Sequence, residues 1–158
     1  MKHLMQGAVI VLVLASISSV ANAAGISHSN KIPHLIHSVA YPNNARIRNA
    51  TYHFGLDVVS TPISQLSISI PSEMRVRDFE VRNQMGERIA ATVSTNSDRT
   101  ILSFDQPIVP GTQLEVDLKG IQINGGVLGR VWTLPVAIST PGLSAEIPIG
   151  SVRIQTVK

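Results

Sequence analysis

Residues 50–58 read ATYHFGLDV. Ala50, Tyr52, Phe54, Leu56 and Val58 fall at one parity, and Thr51, His53, Gly55 and Asp57 at the other. Successive side chains of a pleated strand point to opposite faces, so strict alternation describes a strand with one face in a core and one in water. The same period recurs on the C-terminal side. In SQLSISI (64–70), Leu66, Ile68 and Ile70 share a face, and Pro62 and Pro71 bracket the run. Phe79 pairs with Val81, and Ile89 with Ala91 and Val93. Leu102 pairs with Phe104, and Leu114 with Val116 and Leu118. Trp132, Leu134, Val136 and Ile138 share a parity, as do Val152 and Ile154.

Between these runs lie turn residues: NQMG (83–86), STNSDR (94–99), VPGT (109–112), NGG (124–126) and TPG (140–142). Asn and Gly tolerate positive φ, and Pro presets the φ of the second turn position. Gly120 marks a parity switch from Leu118 to Ile121 and predicts a bulge or a sheet crossing. Pro135 lies inside a strand run and predicts an edge or a break there. No segment carries a capped helical period. The pattern therefore predicts an all-β chain, an antiparallel β-sandwich of immunoglobulin-like or jelly-roll-like kind with about eight or nine strands.

The chain has 158 residues and begins with a basic start at Lys2, an apolar stretch and Ala21-Asn22-Ala23. That is the form of a signal peptide cut after Ala23. Residues 1–23 are thus expected to be removed, residues 24–32 to form a flexible mature start, and residues 33–158 to fold as one sandwich domain. The expected location is exported, periplasmic or extracellular, with no membrane span after cleavage. No cysteine is present, so there are no disulfides, no thiol catalysis and no thiolate metal site. The formal net charge is +3, but Arg75, Arg77, Arg82 and Arg88 interleave with Glu73, Asp78, Glu80 and Glu87, the pattern of a solvated face rather than a nucleic-acid stripe.

The stretch PHLIHSVAYPNNARIRNATYHFGLDVVSTPISQLSISIP (33–71), the later PIVPGTQLEVDLKGIQINGG (107–126) and the closing PIGSVRIQT (148–156) resemble a secreted cyanobacterial family, the domain-of-unknown-function family numbered 2808. Members typically have YYF where this chain has Tyr52-His53-Phe54. The resemblance implies a compact exported β domain with no assigned activity, cofactor or catalytic residue.

No catalytic constellation is legible. There is no G-x-S-x-G elbow, and NGGVLG (124–129) lacks the Lys-Ser/Thr of a phosphate loop. Asp98, Asp105, Glu115 and Asp117 are glycosidase candidates by type. Glu115 and Asp117 share the outward face of one strand, where alternating acids commonly serve solubility. Trp132 beside Arg130 is a candidate sugar platform, although its parity places it in the core. His28, His34, His37 and His53 are the metal-ligand candidates, since imidazole suits zinc and copper. His34 and His37 are three apart, so a regular strand would point them to opposite faces; they can share an ion only if the segment bends. No carboxylate lies among residues 24–56, Asp57 being the nearest in sequence, and solvated or capping histidines are the expected state.

The expectation is therefore a non-enzymatic exported domain with no cofactor, acting through surface contacts with an envelope or extracellular protein or a polysaccharide. A metal-binding protein using the N-terminal histidines is the alternative, and a carbohydrate-binding module a weaker one.

Overall fold

Alternation in the sequence becomes alternation of burial. The computed structural model describes residues 32–124 and 131–157. In it Ala50, Tyr52, Phe54, Leu56 and Val58 are all buried, while Thr51, His53 and Asp57 occupy the partly open opposite face. Eleven strands follow in chain order: β1 (His34–Tyr41), β2 (Ala50–Val58), β3 (Ile63–Ser69), β4 (Met74–Arg75), β5 (Asp78–Asn83), β6 (Arg88–Ile89), β7 (Ala91–Asn96), β8 (Arg99–Ile108), β9 (Thr112–Ile123), β10 (Val131–Ser139) and β11 (Ile147–Gln155). No helix occurs among the described residues. The signal peptide, the flexible start, His28, Arg130 and the glycines of NGG lie outside them.

One sheet has the order β1-β2-β9-β5-β6, with β4 added at the C-terminal end of β9; the other has the order β11-β10-β3-β8-β7. All strand pairs are antiparallel. The inner faces meet in one core. Phe54, Leu56, Leu114, Val116 and Leu118 come from the first sheet, and Leu66, Ile68, Leu102, Leu134, Ile138 and Ile154 from the second. Two sheets, each greasy on one side, satisfy both by stacking, which is the physical content of a sandwich. Trp132 is 3% exposed within this core, so its indole is not a platform for sugar. Burial pushes the Tyr52 phenol up to about 12, which keeps it neutral in the core.

The strand number exceeds the expected eight or nine because β4 and β6 are two residues each, too short to show a period. Pro135 does not lie in an edge strand: β10 sits between β11 and β3. The pairing of β10 with β3 runs only from Val136 to Ser139, so the ladder stops one residue short of Pro135 and asks no N–H of it toward β3. Gly120 behaves as read. It has φ 65°, and β9 carries an extra residue there against β2, between the pairs Tyr52–Leu118 and Ala50–Ile121. The bulge restores the inward parity of Ile121. One side of the sandwich is closed where Ser38 Oγ donates to the Arg153 carbonyl at 2.7 Å and Ala45 N–H to that of Val157 at 2.8 Å. On the other side the chain crosses between sheets at Ala90, from β6 to β7.

Candidate functional site

The outward face of β1, β2 and β9 collects two histidines and two acids. A second bulge makes this possible. His34 pairs with Asp57 and Leu35 with Leu56, but His37 pairs with Gly55, so Ile36 is an extra residue in β1. One inserted residue reverses strand parity, and His37 is thereby turned outward, onto the same face as His34. The bend that two histidines three apart require is present. Across the sheet His37 faces Gly55, which faces Glu115; one row on, Val39 faces His53, which faces Asp117.

Gly55 is the floor of the site. A Cβ there would lie 2.5 Å from His37 Cε1, 2.8 Å from His37 Nδ1 and 2.7 Å from Ile36 Cγ1. No Cβ fits at such distances, so only glycine lets the His37 ring lie flat over β2. The His37 and His53 rings stack with centroids 5.2 Å apart and planes at 26°. Their Nε2 atoms are 3.2 Å apart, and Glu115 Oε2 lies 3.1 Å from that of His37 and 2.8 Å from that of His53. His53 Nδ1 lies 2.6 Å from Asp117 Oδ1. A carboxylate only accepts, so His53 donates its Nδ1–H to Asp117, and its Nε2 is then bare in the neutral ring. A bare nitrogen facing a carboxylate oxygen at 2.8 Å requires an electropositive occupant between them, either a proton or a cation.

Neighbouring charge is sorted away from this cluster. Arg82 stands opposite Glu115 in the β5–β9 register, yet its guanidinium pairs with Glu80. The Lys119 ammonium also bonds Glu80. That bond above all, with help from Arg82 and against partial burial, holds the Glu80 carboxyl below its ordinary range. Two cations are thus engaged by one acid, which leaves Glu115 and Asp117 to the histidines.

His34 is not brought in; its Nδ1 lies 3.3 Å from the Ile32 carbonyl oxygen. Of the carboxylates considered for glycoside chemistry, Glu115 and Asp117 join the histidines, and Asp98 and Asp105 belong to the β7–β8 side of the other sheet. Sequence reading nominated His37 and His53 in one context and Glu115 and Asp117 in another. Only the pairing of β2 with β9 joins them, across a separation of 64 residues for His53 and Asp117.

A second surface lies on the opposite side of the sandwich. β7 ends its sheet and pairs only with β8. Val93 faces inward by register, opposite Leu102, yet is 43% exposed, because β7 overhangs the first sheet. Under the overhang lies a cleft of ≈ 260 Å³ whose lining includes Phe79, Ile89, Val93 and Leu102 together with the charged Glu80 and Arg88. A second cleft of ≈ 420 Å³ lies beside Ile70, Met74, Val76, Thr95 and Thr100.

Comparison with solved structures finds the same architecture in domains of several bacterial proteins. The N-terminal domain of the Streptococcus gordonii adhesin Sgo0707 aligns with a TM-score of 0.53 at 12% identity, over 82% of this chain and 33% of that one. BcpA, the major pilin subunit of Bacillus cereus, aligns with a TM-score of 0.51 at 11% identity, over 78% of this chain and 40% of that one. A putative membrane anchored protein from Corynebacterium diphtheriae aligns with a TM-score of 0.51 at 9% identity, over 80% and 35%. This chain therefore spans well under half the length of each. At such identities the likeness is one of fold. Among curated proteins none matches the sequence. No helix among the described residues is long and apolar enough to cross a membrane. Residues 26–146 match the family described as protein of unknown function (DUF2808), and the chain belongs to that family.

Proposed function

We infer that this is an exported, non-enzymatic β-sandwich that binds an extended segment of another protein along β7. The observation that carries the reading is the state of that edge. β7 is six residues long, contains no charged residue and no proline, and is exposed from Thr92 to Asn96. Folded proteins usually blunt such an edge with charge, proline or cover, because its free N–H and C=O groups template another strand. Here the edge is bare and overhangs a cleft lined by both apolar and charged side chains, Phe79, Ile89 and Leu102 with Glu80 and Arg88. An added strand would form several main-chain hydrogen bonds, each worth about 0.5–1.5 kcal/mol net. Alternate side chains of that strand would enter the cleft beside Val93, which is how strand addition gains specificity.

The other edges are less available. β6 is two residues long, and β11 lies against β1 through the Ser38–Arg153 contact. Two of the structures with a similar fold are, by name, an adhesin domain and a pilin subunit, which supports a role in contact with other molecules. The leader-like start of the sequence supports export.

The test places a photo-crosslinking residue at Ser94 on β7 or, as a control, at Thr133 on the exposed face of β10, in cells that make the protein. Adducts from position 94 that disappear on Val93→Lys are expected. Equal adducts from position 133, or adducts indifferent to Val93→Lys, would contradict the reading.

A further inference from the structure

We propose that His37, His53 and Glu115 bind one divalent transition-metal ion, zinc by the chemistry of the donors, with Asp117 orienting His53. The site lies on the sheet that does not contain β7, so it stands or falls independently of strand addition.

Four observations converge. First, the three donor atoms form a triangle with edges of 3.2, 3.1 and 2.8 Å. With ligand bonds of roughly 2.0–2.1 Å, such edges subtend roughly 85–105° at a shared ion, the range of tetrahedral to octahedral coordination. The three atoms are already at coordination spacing. Second, the hydrogen bond from His53 Nδ1–H to Asp117 at 2.6 Å is the carboxylate–histidine arrangement that fixes the tautomer and leaves Nε2 free to ligate. Third, the donors stand on three adjacent strands, β1, β2 and β9, and Gly55 seats the His37 ring. Fourth, Arg82 and Lys119 are held by Glu80, so among the described residues neither of these neighbouring cations competes for the two carboxylates that face the histidines.

Two neutral imidazoles and a carboxylate are a borderline donor set. It suits zinc and rejects magnesium and calcium, which take oxygen ligands. The His37 side chain is 44% exposed, so a further coordination position opens to solvent.

The experiment uses the whole purified protein, prepared without a histidine tag and stripped with chelator. Zinc is titrated calorimetrically into the unaltered chain and into His37→Ala, His53→Ala, Glu115→Gln, Asp117→Asn and His34→Ala. One zinc per chain is expected. Ligand removal is expected to abolish binding or weaken it more than a hundredfold, and Asp117→Asn to weaken it roughly 10–100-fold. His34→Ala, one row away, is expected to leave it unchanged. Magnesium should give no heat. Circular dichroism of each variant identifies any that misfold. On the unaltered chain, paramagnetic cobalt should broaden the ring signals of His37 and His53 before that of His34. No zinc binding, binding that His34→Ala removes and His53→Ala does not, or cobalt broadening centred on other rings would overturn the proposal.

Discussion

Glu80 shows how a single side chain organises the outward face. Its carboxylate holds Lys119 and Arg82, and its pKa is lowered chiefly by the Lys119 bond. A carboxyl whose folded pKa lies below the unfolded value of about 4.3 binds fewer protons when folded. Its contribution is complete above that unfolded value and is lost as pH falls through the folded one. Glu80→Gln is therefore expected to lower the melting temperature at pH 7, and the gap from the parent is expected to close as the pH is taken below about 4. A gap that stayed constant with pH would assign the loss to packing rather than charge. At this scale the sequence disclosed donor types but not their company. His53 was readable as outward from parity alone, and Glu115 and Asp117 as outward neighbours on one strand. His37 was not, because its direction depends on the extra residue at Ile36, and a bulge leaves no mark on a short run with mixed polarity. That the histidines meet the acids is a matter of register between strands far apart in the chain, on which side-chain periodicity is silent.

Elements were legible where both period and punctuation were strong. β2, β3, β9 and β11 follow their alternation, and the parity switch at Gly120 marks a true bulge. β4 and β6 were invisible because two residues cannot display a period of two. Pro135 misled because the β10–β3 ladder stops one residue short of it, a fact of topology rather than of composition. The identity of β7 as an open edge is likewise topological: Ile89, Ala91 and Val93 read as a core-facing run, and only the overhang exposes Val93. The bulge in β9 makes a prediction at this scale. Gly120 has φ 65°, and a Cβ there would lie 2.9 Å from Arg77 Cβ. Gly120→Ala is expected to cost more than about 1 kcal/mol, since the left-handed conformation and the close approach both penalise a side chain. Urea denaturation checks it: a lowered midpoint with an unchanged slope is expected, and an unaltered midpoint would show that the bulge tolerates a Cβ.

The described residues form two greasy faces pressed together, and both proposed binding surfaces lie on what remains outside. Sheets that bury one side have two kinds of free surface, the outer faces and the edges, and this chain furnishes one of each: the His37–His53–Glu115–Asp117 face and the β7 edge. Fold class followed from composition and period because apolar burial is largely indifferent to strand order. Strand order did not follow, because many orders bury the same residues. The pairing of β1, β2 and β9 is what turns scattered donors into a site, and nuclear Overhauser spectroscopy of the purified chain tests it most directly. The bulge at Ile36 and the β2–β9 register predict contacts from the His37 ring to Gly55 Hα and between the backbones of His53 and Asp117. Contacts from the His37 ring to the core methyl groups of Leu56 or Leu118 would show that β1 runs without the bulge, and the site would not exist.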